Sequence, residues 1–266
     1  VSAMLMGVAQ LSATTDKTAN LAEATDLVAR AAAAGARLVV LPEYTMSYEP
    51  GAASLLDAAE TLGGPFAGAI ARAAHEHGIA VVVGMTERPA DGAARPANAV
   101  IAVNQGGELV GVYRKVHLYD AFGDRESDRL TAHRPEALVL ELGGLHVGVM
   151  TCYDLRFPEM ARFLVDAGAD VLAVPAAWAA GPGKVDHWVT LARARAIENT
   201  AYVLASGQTG PHCTGHSMVV DPMGEVLASA GEEPGVVVAE VVAERISAVR
   251  ERNPSLVNRR FEVRPL

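Results

Sequence analysis

Cysteine is scarce in this chain: 266 residues hold only two, Cys152 and Cys213, 61 positions apart. Secreted scaffolds stapled by disulfides are far richer, so a disulfide framework is excluded as the source of stability. Positive charge is also in short supply, with 22 Lys plus Arg against 31 Asp plus Glu, a net charge of −9 and a pI near 5.4. Without a Lys/Arg run there is no electrostatic footprint for nucleic acid or an anionic membrane, and a small molecule is the expected partner. No apolar run approaches the length of a membrane span, and no apolar segment with a basic flank opens the sequence. Neither a span nor a signal peptide is visible, so the cytoplasm is the expected location. What the chain does have is 50% hydrophobic residues with 20% charged, ample for a large core.

The hydrophobic pattern alternates strands with helices. AMLMGVAQL reads as a buried strand; NLAEATDLVARAAAAGA then places Leu21, Ala24, Val28 and Ala31 on one helical face, with Gly35 as a stop. The strand RLVVLPE follows. Pro65 opens a helix that runs to His77, Gly78 ends it, and IAVVVGM is the next strand. NAVIAVN and ELVGVYRK flank Gln105, Gly106 and Gly107, a hairpin that brings antiparallel pairing into the sheet. After a long loop the pattern restarts with strand HVGVMTC, a helix from about Pro158 to Ala167, strand VLAVP, helix HWVTLARARAIEN and strand AYVLAS. AGARLVVLP (34–42) aligns with AGADVLAVP (167–175) at a shift of 133, half the chain length, which points to an internal pseudo-twofold repeat. Two mixed sheets, each with helices on one face, would bury their bare faces together as a four-layer α-β-β-α sandwich. No linker interrupts residues 1–266, so a single domain is expected.

Cys152 ends an apolar strand, LHVGVM, and opens TCYDLRFPEM. An ordinary thiol is only a few per cent ionised at neutral pH, so a working Cys152 needs activating neighbours. Glu43 and Lys115 also stand where strands run out into loops, the place where catalytic groups of α/β folds collect. Taken singly, Cys152 reads more often as a structural thiol, and Glu43 and Lys115 more often as surface charges at strand ends.

LPEY around Glu43, YRKVHLYD around Lys115 and CYDLRFPE around Cys152, in that order and each after a strand, resemble the nitrilase or carbon-nitrogen hydrolase superfamily. The likeness continues through PAAW, the helix RARAIENTAYV and the strand GHSMVVDPMGEV. It implies the same four-layer fold, no cofactor, no metal, and an amidase mechanism with Cys152 as nucleophile, Glu43 as general base and acid, and Lys115 stabilising the oxyanion. Glu126, in FGDRESD, matches a second glutamate that many members carry. The backbone N–H of Tyr153 would join Lys115 at the oxyanion. Glu43 would need a partly apolar, closed site to take a thiol proton, and the turn at Cys152 would place the thiol near a helix N-terminus, whose dipole favours thiolate. CYDLRFPE lacks the Trp-Glu-Asn continuation usual in true nitrilases and looks more like the branch of omega-amidase and deaminated glutathione amidase. That branch implies a small aliphatic or dicarboxylic monoamide, and a cation in the pocket from Arg156, Lys184 or Arg193. PAAWAAGPGKVDHW departs from that branch, which leaves the individual substrate open. N-carbamoyl hydrolysis is the alternative, followed by nitrile hydrolysis or a non-catalytic binding scaffold. A homodimer or larger homo-oligomer is implied, with ERNPSLVNRRFEVRPL as the associating tail.

Other signals compete. Arg156 and Glu159 stand at helical spacing and could pair with each other instead of meeting substrate. Trp178 and Trp188 line a pocket or fill the core. His212, Cys213 and His216 offer at most three local metal ligands without a fourth, and Ser217 lacks the last glycine of a serine-hydrolase elbow.

Overall fold

The computed structural model describes residues 3–89 and 92–266. The first half contributes β1 (Ala3–Gln10), α1 (Lys17–Ala33), β2 (Leu38–Val40), α2 (Pro65–His77), β3 (Ala80–Glu87), β4 (Ala97–Val103) and β5 (Leu109–Arg114). The second contributes β6 (Val139–Leu142), β7 (Leu145–Val149), α3 (Pro158–Asp166), β8 (Val171–Ala176), α4 (Lys184–Asn199), β9 (Tyr202–Gly207), β10 (Met218–Val220) and β11 (Val226–Ser229). β12 (Gly235–Val242) and α5 (Ala243–Arg252) follow. Local chemistry sets the helix ends. Asp16 accepts the N–H groups of Thr18 and Ala19 to start α1, and left-handed Gly78 closes α2, which begins at Pro65.

Two six-stranded sheets result, ordered β12-β1-β2-β3-β4-β5 and β6-β7-β8-β9-β10-β11. Read in these directions they have the same pairing sequence. An antiparallel pair is followed by two parallel and then two antiparallel pairs. The repeat seen between 34–42 and 167–175 therefore relates whole sheets, with β2 answering to β8.

Side-chain alternation builds the layers. From the first sheet Val39, Val81 and Val83 pack with Leu27, Val28, Phe66 and Ile70 of α1 and α2. Leu38, Val40, Ala80 and Val82 face the other way, into the core shared with Val147, Val149 and Val171 of the second sheet. β1 lies against β9 and β3 against β8. The arrangement is the α-β-β-α sandwich, and strands covered on both faces explain the unbroken apolar runs.

Several boundaries differ from the sequence reading. β2 stops at Val40 because Pro42 has no N–H to continue the ladder; Leu41 N–H still donates to Val82 O at 2.8 Å. GHSMVVDPMGEV is two strands, β10 and β11, joined by a turn in which Asp221 accepts the N–H groups of Met223 and Glu225. β6 forms within the segment read as loop, and its half-exposed residues explain why its apolar signal is weak.

Candidate active site

Three turns carry the chemistry-bearing side chains. Glu43 follows the Pro42 break. Its main chain is pressed against β3 at Gly84, where a Cβ would stand 2.5 Å from Glu43 Cα and 2.7 Å from Pro42 O, so only glycine fits. Tyr44 is left-handed (φ +57°) and Thr45 Oγ1 donates to Pro42 O at 2.7 Å, which completes the turn. Lys115 is the residue after β5, its N–H donating to Asn98 O in β4 at 2.9 Å. Cys152 follows β7 and begins a 3-10 turn, Cys152–Arg156, with φ +45°. Thr151 and Asp154 cap that turn reciprocally, and Thr151 Oγ1 ties it to Pro175 O at 2.9 Å.

Asp154 is fully buried and fastens the turn to the Lys115 segment. It accepts Tyr113 OH at 2.6 Å and Thr151 N–H at 2.8 Å on one oxygen, and lies 2.7 Å from His117 Nδ1 through the other. The His117 ring stacks on Phe157 at 3.8 Å.

At the convergence of these turns Lys115 Nζ lies 2.8 Å from Glu43 Oε1 and 2.9 Å from Glu126 Oε2, all three side chains almost wholly buried. Glu43 Oε2 accepts Ala177 N–H at 2.7 Å. Glu126 also accepts Tyr44 OH at 2.5 Å and Tyr119 N–H at 2.6 Å. Asn98 Nδ2 donates to Glu43 Oε1 at 2.6 Å and to Glu126 Oε1 at 3.2 Å. Burial pushes the Glu126 carboxyl up, but Lys115 and the donated hydrogen bonds outweigh it and hold the group below the usual range. Burial pushes the Lys115 ammonium down, and the two carboxylates more than reverse this. The Cys152 thiol, which lines the same cavity as Glu43, is pushed well up by burial and then by the Glu43 charge. This corrects the expectation of a thiolate favoured by a helix dipole: the short 3-10 turn begins at Cys152, and α3 begins only at Pro158. The resting thiol keeps its proton, with a carboxylate beside it to accept one.

Glu43, Lys115, Glu126 and Cys152 line a cavity of about 330 Å³, together with Tyr153, Arg156, Trp178, Lys184 and Phe122. The Arg156 guanidinium stands 4.7 Å from the Trp178 ring centre and 5.4 Å from that of Phe122. Lys184 Nζ is 3.4 Å from the Phe122 centre and donates to Tyr119 OH at 3.2 Å; burial and neighbouring Arg156 lower its ammonium. Among the described residues neither cation has a carboxylate partner, so Arg156 does not pair with Glu159.

A carbon-nitrogen hydrolase family model matches residues 5–251. The chain belongs to the carbon-nitrogen hydrolase family. Deaminated glutathione amidase of Escherichia coli O157:H7 is 39% identical over 97% of this chain and 98% of its own. The Caenorhabditis elegans NitFhit protein superposes with a TM-score of 0.91 at 30% identity, over 99% of this chain and 67% of its own. A mutant amidase from Nesterenkonia sp. superposes at 0.78 with 28% identity, over 96% of this chain and 98% of its own; its structure shows acrylamide added at the active-site cysteine. This carbon-nitrogen hydrolase is thus an enzyme of the nitrilase superfamily's amidases.

Glu43, Lys115, Glu126 and Cys152 come together as the sequence reading placed them, and Arg156, Trp178 and Lys184 share their cavity. Arg193 does not: it donates to Gly224 O at 2.8 Å, away from the cavity lining. Trp178 is buried, its indole N–H donating to Lys184 O at 2.9 Å, and its ring is 5.4 Å from Trp188. His212 lines the cavity, Cys213 Sγ meets Tyr48 OH at 3.6 Å and His216 pairs with Glu232; among the described residues no group of three such side chains could hold a metal. Among the described residues no helix is long and apolar enough to cross a membrane. Sequence reading missed Asn98, Tyr44 and Asp154. An amide inside the apolar strand NAVIAVN was the available signal for Asn98.

Proposed function

We propose that this hydrolase cleaves a small monoamide through a thioester on Cys152. The observation that carries this reading is the convergence of Cys152, Glu43 and Lys115 on one buried cavity. Cys152 Sγ attacks the amide carbon while its proton passes to Glu43, and the carbonyl π electrons move to oxygen. Lys115 and the Tyr153 N–H, at the open start of the 3-10 turn, stabilise that oxyanion. When the tetrahedral centre collapses, the C–N bond breaks and Glu43 returns the proton to nitrogen, releasing ammonia. Water then attacks the thioester, giving one proton to Glu43; the carboxylic acid leaves and the proton returns to sulfur. Glu126 orients Lys115 throughout. The acrylamide adduct on the cysteine of the Nesterenkonia amidase supports a nucleophilic thiol here.

Arg156 and Lys184, two cations without carboxylate partners among the described residues, favour an anionic acyl group such as that of a dicarboxylic monoamide. Deaminated glutathione, named for the Escherichia coli relative, belongs to the amides to be tried. An N-carbamoyl amino acid would present its carboxylate to the same wall and is the second reading; it would release carbon dioxide with ammonia. We read the chain as one domain acting as a homodimer or larger homo-oligomer.

The test is ammonia release from 2-oxoglutaramate, succinamate, deaminated glutathione, an N-carbamoyl amino acid and a simple nitrile, with Cys152→Ala alongside. Release from an amide, lost in the variant, supports the reading. No release from any compound, with Cys152 inert to iodoacetamide, overturns it in favour of a binding scaffold.

A further inference from the structure

We propose that Asn98 is a positioning residue for amide hydrolysis, its side-chain amide holding Glu43 and Glu126 as two ionised carboxylates around a single ammonium. The inference deepens the thiol reading above and rests on it for the role of Glu43. Asn98 lies in β4 between Ala97 and Ala99, is 1% exposed, and is paired with Thr86 in β3. Its main-chain carbonyl accepts the Lys115 N–H at 2.9 Å, while its Nδ2 donates to Glu43 Oε1 at 2.6 Å and to Glu126 Oε1 at 3.2 Å. One residue therefore touches both carboxylates through its side chain and the main chain of the lysine between them.

The two oxygens that Asn98 meets are the same two that lie 2.8 and 3.2 Å from Lys115 Nζ. Two carboxylates confined to one buried site ordinarily keep a proton between them, because like charges at that range repel. A protonated Glu43 cannot take the thiol proton. A second ammonium would relieve the repulsion, but it would also compete with Lys115 for both carboxylates. A neutral N–H donor favours both anions without adding charge. The amide orientation follows from this demand. Turned over, it would set Oδ1 against two carboxylate oxygens; as placed, buried Oδ1 finds no donor among the described residues. The side chain is oriented for the carboxylates at the expense of its own carbonyl.

The other titratable groups around Glu43 are Tyr44 and Tyr48 of its own loop, Tyr113 of β5, Cys152, and Cys213 before β10. Cys152 and these tyrosines are held towards their neutral forms by burial and neighbouring anions, and burial pushes Cys213 up to about 12. None of these neighbours ionises on the acid side of the profile.

The experiment uses the full chain with Asn98→Asp, which keeps the shape and replaces the donor by a third carboxylate, and Asn98→Ala, which only removes the donor. Turnover of the best amide, and the rate of Cys152 alkylation by iodoacetamide, are measured against pH. The expected result is a kcat lowered about 100-fold with KM within about threefold of wild type. The acid limb of both profiles moves to higher pH, further for Asp than for Ala. A residue that only fills space would lower the thermal midpoint and kcat but leave the acid limbs in place, and that outcome overturns the proposal. Either folded variant decides it. Alkylation needs no substrate: if every amide fails as substrate while the alkylation limb still moves, the proposed reaction falls and the positioning of Glu43 by Asn98 stands.

Discussion

The Lys115 ammonium lies 2.8 Å from the Glu43 carboxylate, and neither side chain exposes more than 2% of its surface. Breaking such a pair strands a charge in the interior, which costs about 3–5 kcal/mol. Lys115→Met leaves Glu43 and Glu126 facing each other without a cation, so its urea midpoint falls by that equivalent. Activity should fall about 100-fold or more if Lys115 carries the oxyanion as proposed. An unchanged midpoint in urea unfolding would show that the pair is not buried in solution.

The same cluster makes stability depend on pH at both ends. Glu126 is depressed when folded, so its contribution is complete above the unfolded value near 4.3 and disappears as pH falls through the lower folded value. Lys115 is raised, so its contribution is complete below about 10.4 and is lost as pH rises through the folded value. Both therefore act fully at neutral pH. The difference in unfolding free energy between wild type and Glu126→Gln should shrink as pH drops from about 5 to 3. A constant difference across that range counts against a depressed Glu126.

Cys152 is pushed up by burial and by Glu43, so the thiol of the resting enzyme is protonated near neutrality and reacts only if a base takes its proton. Glu43→Gln should slow iodoacetamide alkylation of Cys152 at pH 7 about 100-fold, with the rate then climbing steadily into the alkaline range. Mass spectrometry of the labelled protein reads this directly. Equal rates in the two proteins would remove Glu43 as the base.

Much of this was legible in the sequence for a physical reason. Glu43, Lys115 and Cys152 each end an apolar run, and a strand that runs out into a loop leaves its terminal side chain at the sheet edge where a site can form. The repeat at 34–42 and 167–175 foretold that two sheets match strand for strand. What was hidden depends on contacts between distant segments. Asn98 opens the run NAVIAVN, and only the fold sets its side-chain amide between Glu43 and Glu126. Asp154 carries no mark in the sequence, and only folding brings Tyr113 and His117 to it. The thiol's raised proton affinity was misjudged because the turn after Cys152 is one short 3-10 segment, with too little aligned backbone dipole to offset burial.

Gly84 sets how far Glu43 reaches into the cavity. Any side chain there collides with the main chain of Pro42, Glu43 and Tyr44 at under 3 Å. Gly84→Ala must push that segment away from β3, so a destabilisation of about 1–3 kcal/mol is expected from overpacking. A displacement near 1 Å at the base also lowers kcat about 100-fold. Turnover at wild-type rate in a folded Gly84→Ala protein would mean that Glu43 tolerates the shift and that its placement is not critical.

Arg156 and Lys184 form a cationic wall that meets rings instead of carboxylates: Trp178 and Phe122 for Arg156, Phe122 and Tyr119 for Lys184. Such cation–π contacts are weaker than a bidentate carboxylate pair, so an anionic substrate tail can take the guanidinium without first breaking a salt bridge. Arg156→Gln removes the charge but keeps a hydrogen-bonding side chain. For a dicarboxylic monoamide KM should rise about 30-fold with kcat little changed, the pattern of lost uniform binding. For a neutral amide of the same length kcat/KM should stay within about threefold. Phe122 is 68% exposed, so Phe122→Leu tests the rings without disturbing the core. It should alter KM for the anion by no more than about fivefold, because one cation–π contact is weak at an exposed site. If Arg156→Gln affects the anionic and neutral amides alike, the guanidinium serves the fold of the cavity, and the proposed role of Arg156 in receiving an anionic acyl group falls.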